Sequence, residues 1–214
     1  MMVQEDRREY IVSPPAPKVY LAVEGIDGMG KTTVVKHIEE KFGFARVKEP
    51  SDGIIGQAIH NNDWLPLTDF YLFFADRSEA LSSIDFNGHT VTDRSLYSSY
   101  AYQGVKLENL FRSRDKYFDF FMSIARTLPR LPTHVIIIHG NVSESVDRVN
   151  KRGTASRFEK LEYLKKVQEF FLDLSMRIPG VRLVENRGTM NDLFERIDEA
   201  VYSILDLNGS ESTI

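Results

Sequence analysis

The chain has 214 residues, of which 42% are hydrophobic and 27% charged, a make-up that fits one globular domain and excludes a disordered chain. Its 27 Lys and Arg against 31 Asp and Glu leave a net charge of −4, so the basic excess of a nucleic-acid binder is missing. Cysteine is absent, which excludes disulfide scaffolds, thiol catalysis and thiolate metal sites and agrees with a reducing cytoplasm.

Residues 1–17 hold Ser13-Pro14-Pro15-Ala16-Pro17 and read as a flexible extension, since prolines cannot donate ladder hydrogen bonds. An apolar, β-branched run at 19–24 predicts a strand, followed by a helix over 31–42 and a second strand at 44–48. Helices are expected over 53–61 and 67–84, a brief strand at 90–92, then helices over 95–103 and 107–128. Pro129 and Pro132 end that stretch. The run at 134–139 is the clearest strand, because Val135-Ile136-Ile137-Ile138 is continuous and apolar. Helices near 143–152 and 158–177, a strand at 181–185, a last helix over 190–206 and a polar tail at 208–214 complete the chain. Strands alternating with helices predict an α/β fold, a five-stranded parallel sheet flanked by helices. No segment approaches the ~20 apolar residues of a membrane span, and residues 1–8 lack the apolar core of a signal peptide. The five histidines show no zinc spacing. A cytoplasmic protein without membrane or nucleic-acid partners is therefore expected.

In such sheets ligands bind outside the carboxyl ends of the strands. Directly after the first strand comes Gly25-Ile26-Asp27-Gly28-Met29-Gly30-Lys31-Thr32-Thr33. It matches G-x-x-x-x-G-K-[ST], a pattern that chance would place in a chain of this length about once in a hundred. Glycines let backbone N–H groups wrap phosphates, and the helix N-terminus adds positive potential. Lys31 would reach the β- and γ-phosphates, and the Thr32 hydroxyl would ligate Mg²⁺. ATP and Mg²⁺ are the cofactors this implies. Asp27 is unhelpful to a phosphate, so it either accepts from a sugar hydroxyl or stabilises the turn.

The third strand leads into Asp93-Arg94-Ser95. Asp93 is placed to hold Mg²⁺ or its waters and Arg94 to clamp a phosphate, although a helix-start Asp beside a solvent Arg looks the same. In the helix over 67–84, Phe70, Phe73, Arg77, Ala80 and Ile84 share a stripe. Arg77 interrupts that apolar face. It either joins Phe73 in gripping a base or is a core-edge arginine paired with Asp69 or Asp76. After the fourth strand, Arg148, Arg152 and Arg157 bracket Gly153. They form either a lid over a triphosphate or cations answering a helix C-terminus.

Together these residues resemble the thymidylate kinases among the P-loop nucleoside monophosphate kinases. The resemblance spans 18–207. It rests on the loop just quoted with Glu24 before it, Lys48-Glu49-Pro50, Phe73-Phe74-Ala75-Asp76-Arg77, Thr92-Asp93-Arg94-Ser95, Ala101-Tyr102-Gln103-Gly104, Lys151-Arg152-Gly153 and Arg157-Phe158-Glu159. It implies a three-layer P-loop kinase fold with a short lid at about 148–158. The implied reaction is ATP- and Mg²⁺-dependent phosphorylation of dTMP to dTDP, in a homodimer. Residue by residue, the resemblance puts Phe73 against thymine and Arg77 on its polar edge. Asp27 would meet the 3′-hydroxyl, Arg94 the acceptor phosphate, and Tyr102 the space beneath the deoxyribose. Ser99, Gln103 and Glu49 would flank the acceptor. Lys31, Arg94 and a lid arginine, Arg152 or Arg157, would carry catalysis, with Arg148 on ATP.

Two positions depart from the pattern. Gly28 stands where some members carry an arginine, and Lys48 where many have one before Glu-Pro. A deoxynucleoside kinase with Glu49 as base shares several of these segments. A non-catalytic nucleotide switch would need no acceptor site at all.

Overall fold

The computed structural model describes residues 18–150 and 161–210. The expected N-terminal extension, lid positions 151–158 with Arg152 and Arg157, and tail positions 211–214 lie outside the described residues. Five strands form one sheet: β1 (Tyr20–Glu24), β2 (Ala45–Lys48), β3 (Thr90–Asp93), β4 (His134–Gly140) and β5 (Val181–Asn186). Their order is β2-β3-β1-β4-β5 and every pairing is parallel. The three central strands carry the buried runs, Leu21 to Val23 and Val135 to Ile138 being almost fully enclosed. Helices α1 (Lys31–Phe42), α2 (Ile54–Asn61), α3 (Pro66–Ser82), α4 (Leu96–Phe111), α5 (Arg114–Ala125), α6 (Val142–Asn150), α7 (Leu161–Arg177) and α8 (Met190–Ser210) cover it. None of them is long and apolar enough to cross a membrane.

A parallel sheet needs a crossover between each pair of strands, so every βα turn emerges at one edge. The turns after Glu24, Lys48 and Asp93 therefore meet in space although they are distant in sequence. The register fixes their height: Val23 lies level with Asp93, and Asp93 level with Lys48.

The fold departs from the sequence reading between 95 and 128. The expected break after 103 is absent, and α4 runs unbroken through Gly104. The chain turns later, at Arg112 with φ 62°, and Ser113 caps α5 by accepting from the Lys116 N–H. Gly104 marks a close approach. A Cβ there would lie 2.6 Å from Phe170 Cε1 and 2.7 Å from Tyr117 Cε1. The missing side chain lets α4 sink against α5 and α7, where Tyr100 stacks on Tyr117 and meets Phe121 and Phe170 at steeper angles. At the other end of the chain, α8 continues past the expected stop near 206.

Gly104→Ala should therefore lower stability by about 1–3 kcal/mol through overpacking, despite alanine's better helix propensity. Urea unfolding measures it. An unchanged or raised midpoint would show that the aromatic rings yield freely.

Candidate active site

The glycine-rich loop leaves β1 at Gly25 and enters α1 at Lys31. Gly25 (φ 136°) and Gly28 (φ 83°) hold backbone shapes that a side chain resists. A Cβ on Gly28 would also meet the Ser145 carbonyl oxygen at 2.3 Å. Ile26 and Met29 are buried anchors. Met29 is gripped from both ends, its sulfur accepting from the Ser145 hydroxyl and its carbonyl from the Asn186 amide. Gly30 in the left-handed region starts α1, with Lys31, Thr32 and Thr33 in the first turn. Arg148 reaches back from α6 and donates to the Gly28 carbonyl at 2.8 Å and to Glu144 at 3.0 Å.

Two cavities open at the carboxyl ends of the strands. The smaller, about 270 Å³, lies along the loop and is lined by Gly28, Gly30, Lys31, Thr32, Thr33, Arg46, Lys48, Glu49 and Asp93. The larger, about 460 Å³, lies between α2, α3 and α4, where Pro50, Phe73, Ser98, Ser99, Tyr102 and Gln103 face residues 59–63. Asp27 and Arg94 belong to both and stand where they meet.

Charge organises this junction. Asp27 pairs with Arg94 and lies 3.7 Å from the Lys31 ammonium. The Tyr102 hydroxyl donates to Asp27 Oδ2 at 3.2 Å and accepts from the Asp27 N–H at 3.1 Å. Burial opposes the Asp27 charge, but Arg94 and Lys31 outweigh it and hold this carboxyl below the usual range. Burial, then the like charge of Arg94, pushes Lys31 down to about 8. The Arg94 guanidinium lies 5.0 Å over the Tyr102 ring.

Arg94 also sits at φ 77°, outside the range an arginine prefers. That shape costs on the order of 1–3 kcal/mol and needs its surroundings to hold it. Glu24 supplies the hold. It ends β1 fully buried. Its Oε1 accepts from the Ser95 N–H and hydroxyl at 2.7 Å and the Ser98 N–H at 3.2 Å, and its Oε2 accepts from the Ser98 hydroxyl at 2.6 Å. The turn carrying Arg94 is thus pinned to the strand that carries the glycine loop.

Thr32 Oγ1 donates to Asp93 Oδ2 at 2.6 Å. Among the described residues no three metal-ligating side chains cluster. A hydroxyl beside one carboxylate nevertheless suits Mg²⁺, which takes few protein oxygens and completes its octahedron with phosphate and water.

Arg77 lies where the sequence placed it, on α3, but with different partners. Its Nε donates to Glu49 Oε2 at 2.5 Å, and both side chains are only 4% exposed. Its Nη1 lies 3.4 Å from the Phe73 carbonyl and from Ser99 Oγ. The ring beneath the guanidinium is Phe74, at 5.6 Å, and Phe73 itself faces the larger cavity. Asp69 accepts from Gln103 and Asp76 from Ser51, so neither is the ion-pair partner of Arg77.

Several site residues escaped the sequence reading. Glu24 was visible as a charge ending an apolar strand. Pro50 stood in the Glu-Pro pair with no role of its own, while Ser98 and the run Ile59-His60-Asn61-Asn62-Asp63 carried no local signal, since a polar turn after a helix looks like any surface loop.

A family model described as thymidylate kinase matches residues 23–188, which take in every residue of both cavities. The chain belongs to the thymidylate kinase family. A probable thymidylate kinase of Methanosarcina acetivorans is 31% identical over 201 residues, covering 87% of this chain and 95% of that protein. Another, of Methanosarcina mazei, is 35% identical over 174 residues, covering 75% and 83%. Among solved structures, a thymidylate kinase from Candida albicans superposes with a TM-score of 0.69 at 22% identity, covering 90% of this chain and 92% of that one. That likeness is one of fold: the five-stranded parallel sheet flanked by helices is the P-loop kinase fold.

The buried Arg77–Glu49 pair makes a prediction. Arg77→Ala would strand a carboxylate in the interior and should lower the unfolding free energy by about 3–5 kcal/mol. Replacing both, as in Arg77→Met with Glu49→Leu, should restore much of it. Denaturant unfolding of the three proteins tests this, and a loss below about 1 kcal/mol for Arg77→Ala would mean the pair is not a structural clamp.

Proposed function

We propose that this thymidylate kinase uses ATP with Mg²⁺ as donor, with the triphosphate along the glycine-rich loop and dTMP in the larger cavity. The observation that carries the acceptor assignment is Gln103. Its Nε2 donates to Asp69 at 3.2 Å, which fixes the amide orientation. Its Oε1 is then a buried acceptor with no partner among the described residues. Such an orphan costs about 1–3 kcal/mol, so a ligand N–H arriving there is strongly favoured. Thymine carries one donor on its ring, at N3. Phe73 offers an aromatic face in the same cavity, and Ser99 a hydroxyl. Arg77, enclosed behind them, orients Ser99 and Glu49 and lies within one side chain of the base.

Tyr102 and Asp27 would meet the sugar, with Asp27 exchanging Arg94 for the 3′-hydroxyl. Arg94, freed from Asp27, would swing to the acceptor phosphate and the transferred phosphoryl group, and Lys31 would hold the donor's outer phosphates. Thr32 and Asp93 would hold Mg²⁺, which neutralises charge on the donor phosphates. Arg148 steadies the loop through Gly28. A lid cation, Arg152 or Arg157, completes this reading from outside the described residues, as does a homodimer in the cytoplasm on the family resemblance alone. The acceptor needs no general base. The second pKa of a phosphate monoester is about 6, so its oxygen is largely anionic at pH 7. Positioning and charge neutralisation then supply the catalysis, as in other phosphoryl transfers.

A deoxynucleoside kinase would need a free carboxylate to deprotonate a 5′-hydroxyl. Glu49, the candidate, is held by Arg77 and receives the Tyr20 hydroxyl at 3.4 Å, which favours the monophosphate acceptor.

The test is ADP release from Mg·ATP offered dTMP, dUMP, thymidine or no acceptor. Turnover with dTMP and none with thymidine is expected. Gln103→Leu should raise the KM for dTMP about tenfold and leave that for ATP unchanged. Turnover of thymidine in place of dTMP, or equal losses for both substrates in Gln103→Leu, would contradict the assignment.

A further inference from the structure

Two cations project from the edge strand β2 toward the loop cavity, Arg46 and Lys48. They are two residues apart on a strand, so both side chains leave the same face. Val47 between them is buried on the opposite side. Lys48 occupies the place before Glu49-Pro50, but its ammonium is held by Asp52 at 2.5 Å and is largely in solvent. Arg46 is different. Its guanidinium has no ion pair or hydrogen bond among the described residues, although Asp27, Glu49 and Asp93 line the same cavity.

An exposed arginine without an ion pair, on the wall of a cavity that also carries three carboxylates, points to an anion that is not part of the chain. Those carboxylates already have partners: Asp27 has Arg94 and Lys31, Glu49 has Arg77, and Asp93 has the Thr32 hydroxyl. Two residues of strand displace Arg46 from Lys48 by roughly 6.6 Å, a distance the long arginine side chain can span. Its planar fork then suits a phosphate better than an ammonium does.

We propose that Arg46 is a phosphate-binding residue of this kinase, supplying from β2 the cation that Lys48, engaged by Asp52, does not. The inference rests on the kinase reading above and adds a residue to it. The phosphate belongs to the acceptor, whose cavity shares Asp27 and Arg94 with this one, or to the donor, whose loop residues Thr32 and Thr33 line the same wall.

The experiment compares wild type, Arg46→Ala and Arg46→Lys. It measures the dissociation constants of dTMP and of ADP, with the urea midpoint of each protein. Arg46→Ala should weaken at least one nucleotide about tenfold at low salt with an unchanged midpoint, and Arg46→Lys should recover part of the loss. Weakened dTMP assigns the contact to the acceptor, and weakened ADP assigns it to the donor. Unchanged affinity for both nucleotides would overturn the proposal. So would a loss that tracks a lowered midpoint and that lysine does not relieve. Failure of the wild-type protein to bind dTMP would instead tell against the kinase reading itself.

Discussion

The architecture of the site follows from one electrostatic constraint: Lys31 and Arg94 are brought into the same partly dehydrated junction. Like charges brought together out of water disfavour each other's protonated state. The chain answers with Asp27, which takes both cations at once, and with the Tyr102 hydroxyl, which steadies Asp27. An overall charge of −4 conceals this local excess of positive potential. In the reading proposed above, a phosphate would meet the same two cations that Asp27 holds here.

Holding that arrangement requires rigid attachments, and each comes from a buried or half-buried polar contact between distant segments. Glu24 fastens the Arg94 turn to the end of β1 through four hydrogen bonds. Glu49 fastens α3 to the end of β2 through Arg77. Asp69 fixes the Gln103 amide, and Arg148 and Asn186 grip the glycine loop from α6 and β5. Glu24, Glu49 and Asp69 are the costly ones to lose, because each would leave a buried donor unpaired. The parallel sheet makes them possible by delivering its turns to one edge.

The sequence exposed the parts of this design that are local. The strands of the buried centre, the glycine-rich loop and the order of elements were all legible, because apolar runs and a phosphate-loop pattern are contiguous in the chain. Contacts between segments were less so. Arg77 on its apolar stripe signalled a buried partner, but nothing adjacent identified Glu49, which lies 28 residues away. Phe73 and Phe74 both lie about one turn from Arg77, and only packing decides that Phe74 takes the guanidinium while Phe73 faces the cavity. The helix expected to end at 103 runs on through Gly104, whose missing side chain admits Tyr117 and Phe170. Arg46 carried no signal in the sequence, and only the fold places it on the cavity wall.

The most direct test of the charge constraint is the proton balance of nucleotide binding. The Lys31 pKa of about 8 in the ligand-free protein must rise when a phosphate arrives, because an anion favours the charged form. ATP is fully deprotonated at that pH, so protons taken up come from the change in the protein. Calorimetry of Mg·ATP binding in two buffers of different ionisation enthalpy should show uptake of about half a proton per site at pH 8. The affinity should fall as the pH rises further, and the uptake should vanish in Lys31→Met. Binding with no proton uptake in the wild-type protein, or the same uptake in Lys31→Met, would contradict the claim that this junction is an anion site centred on Lys31.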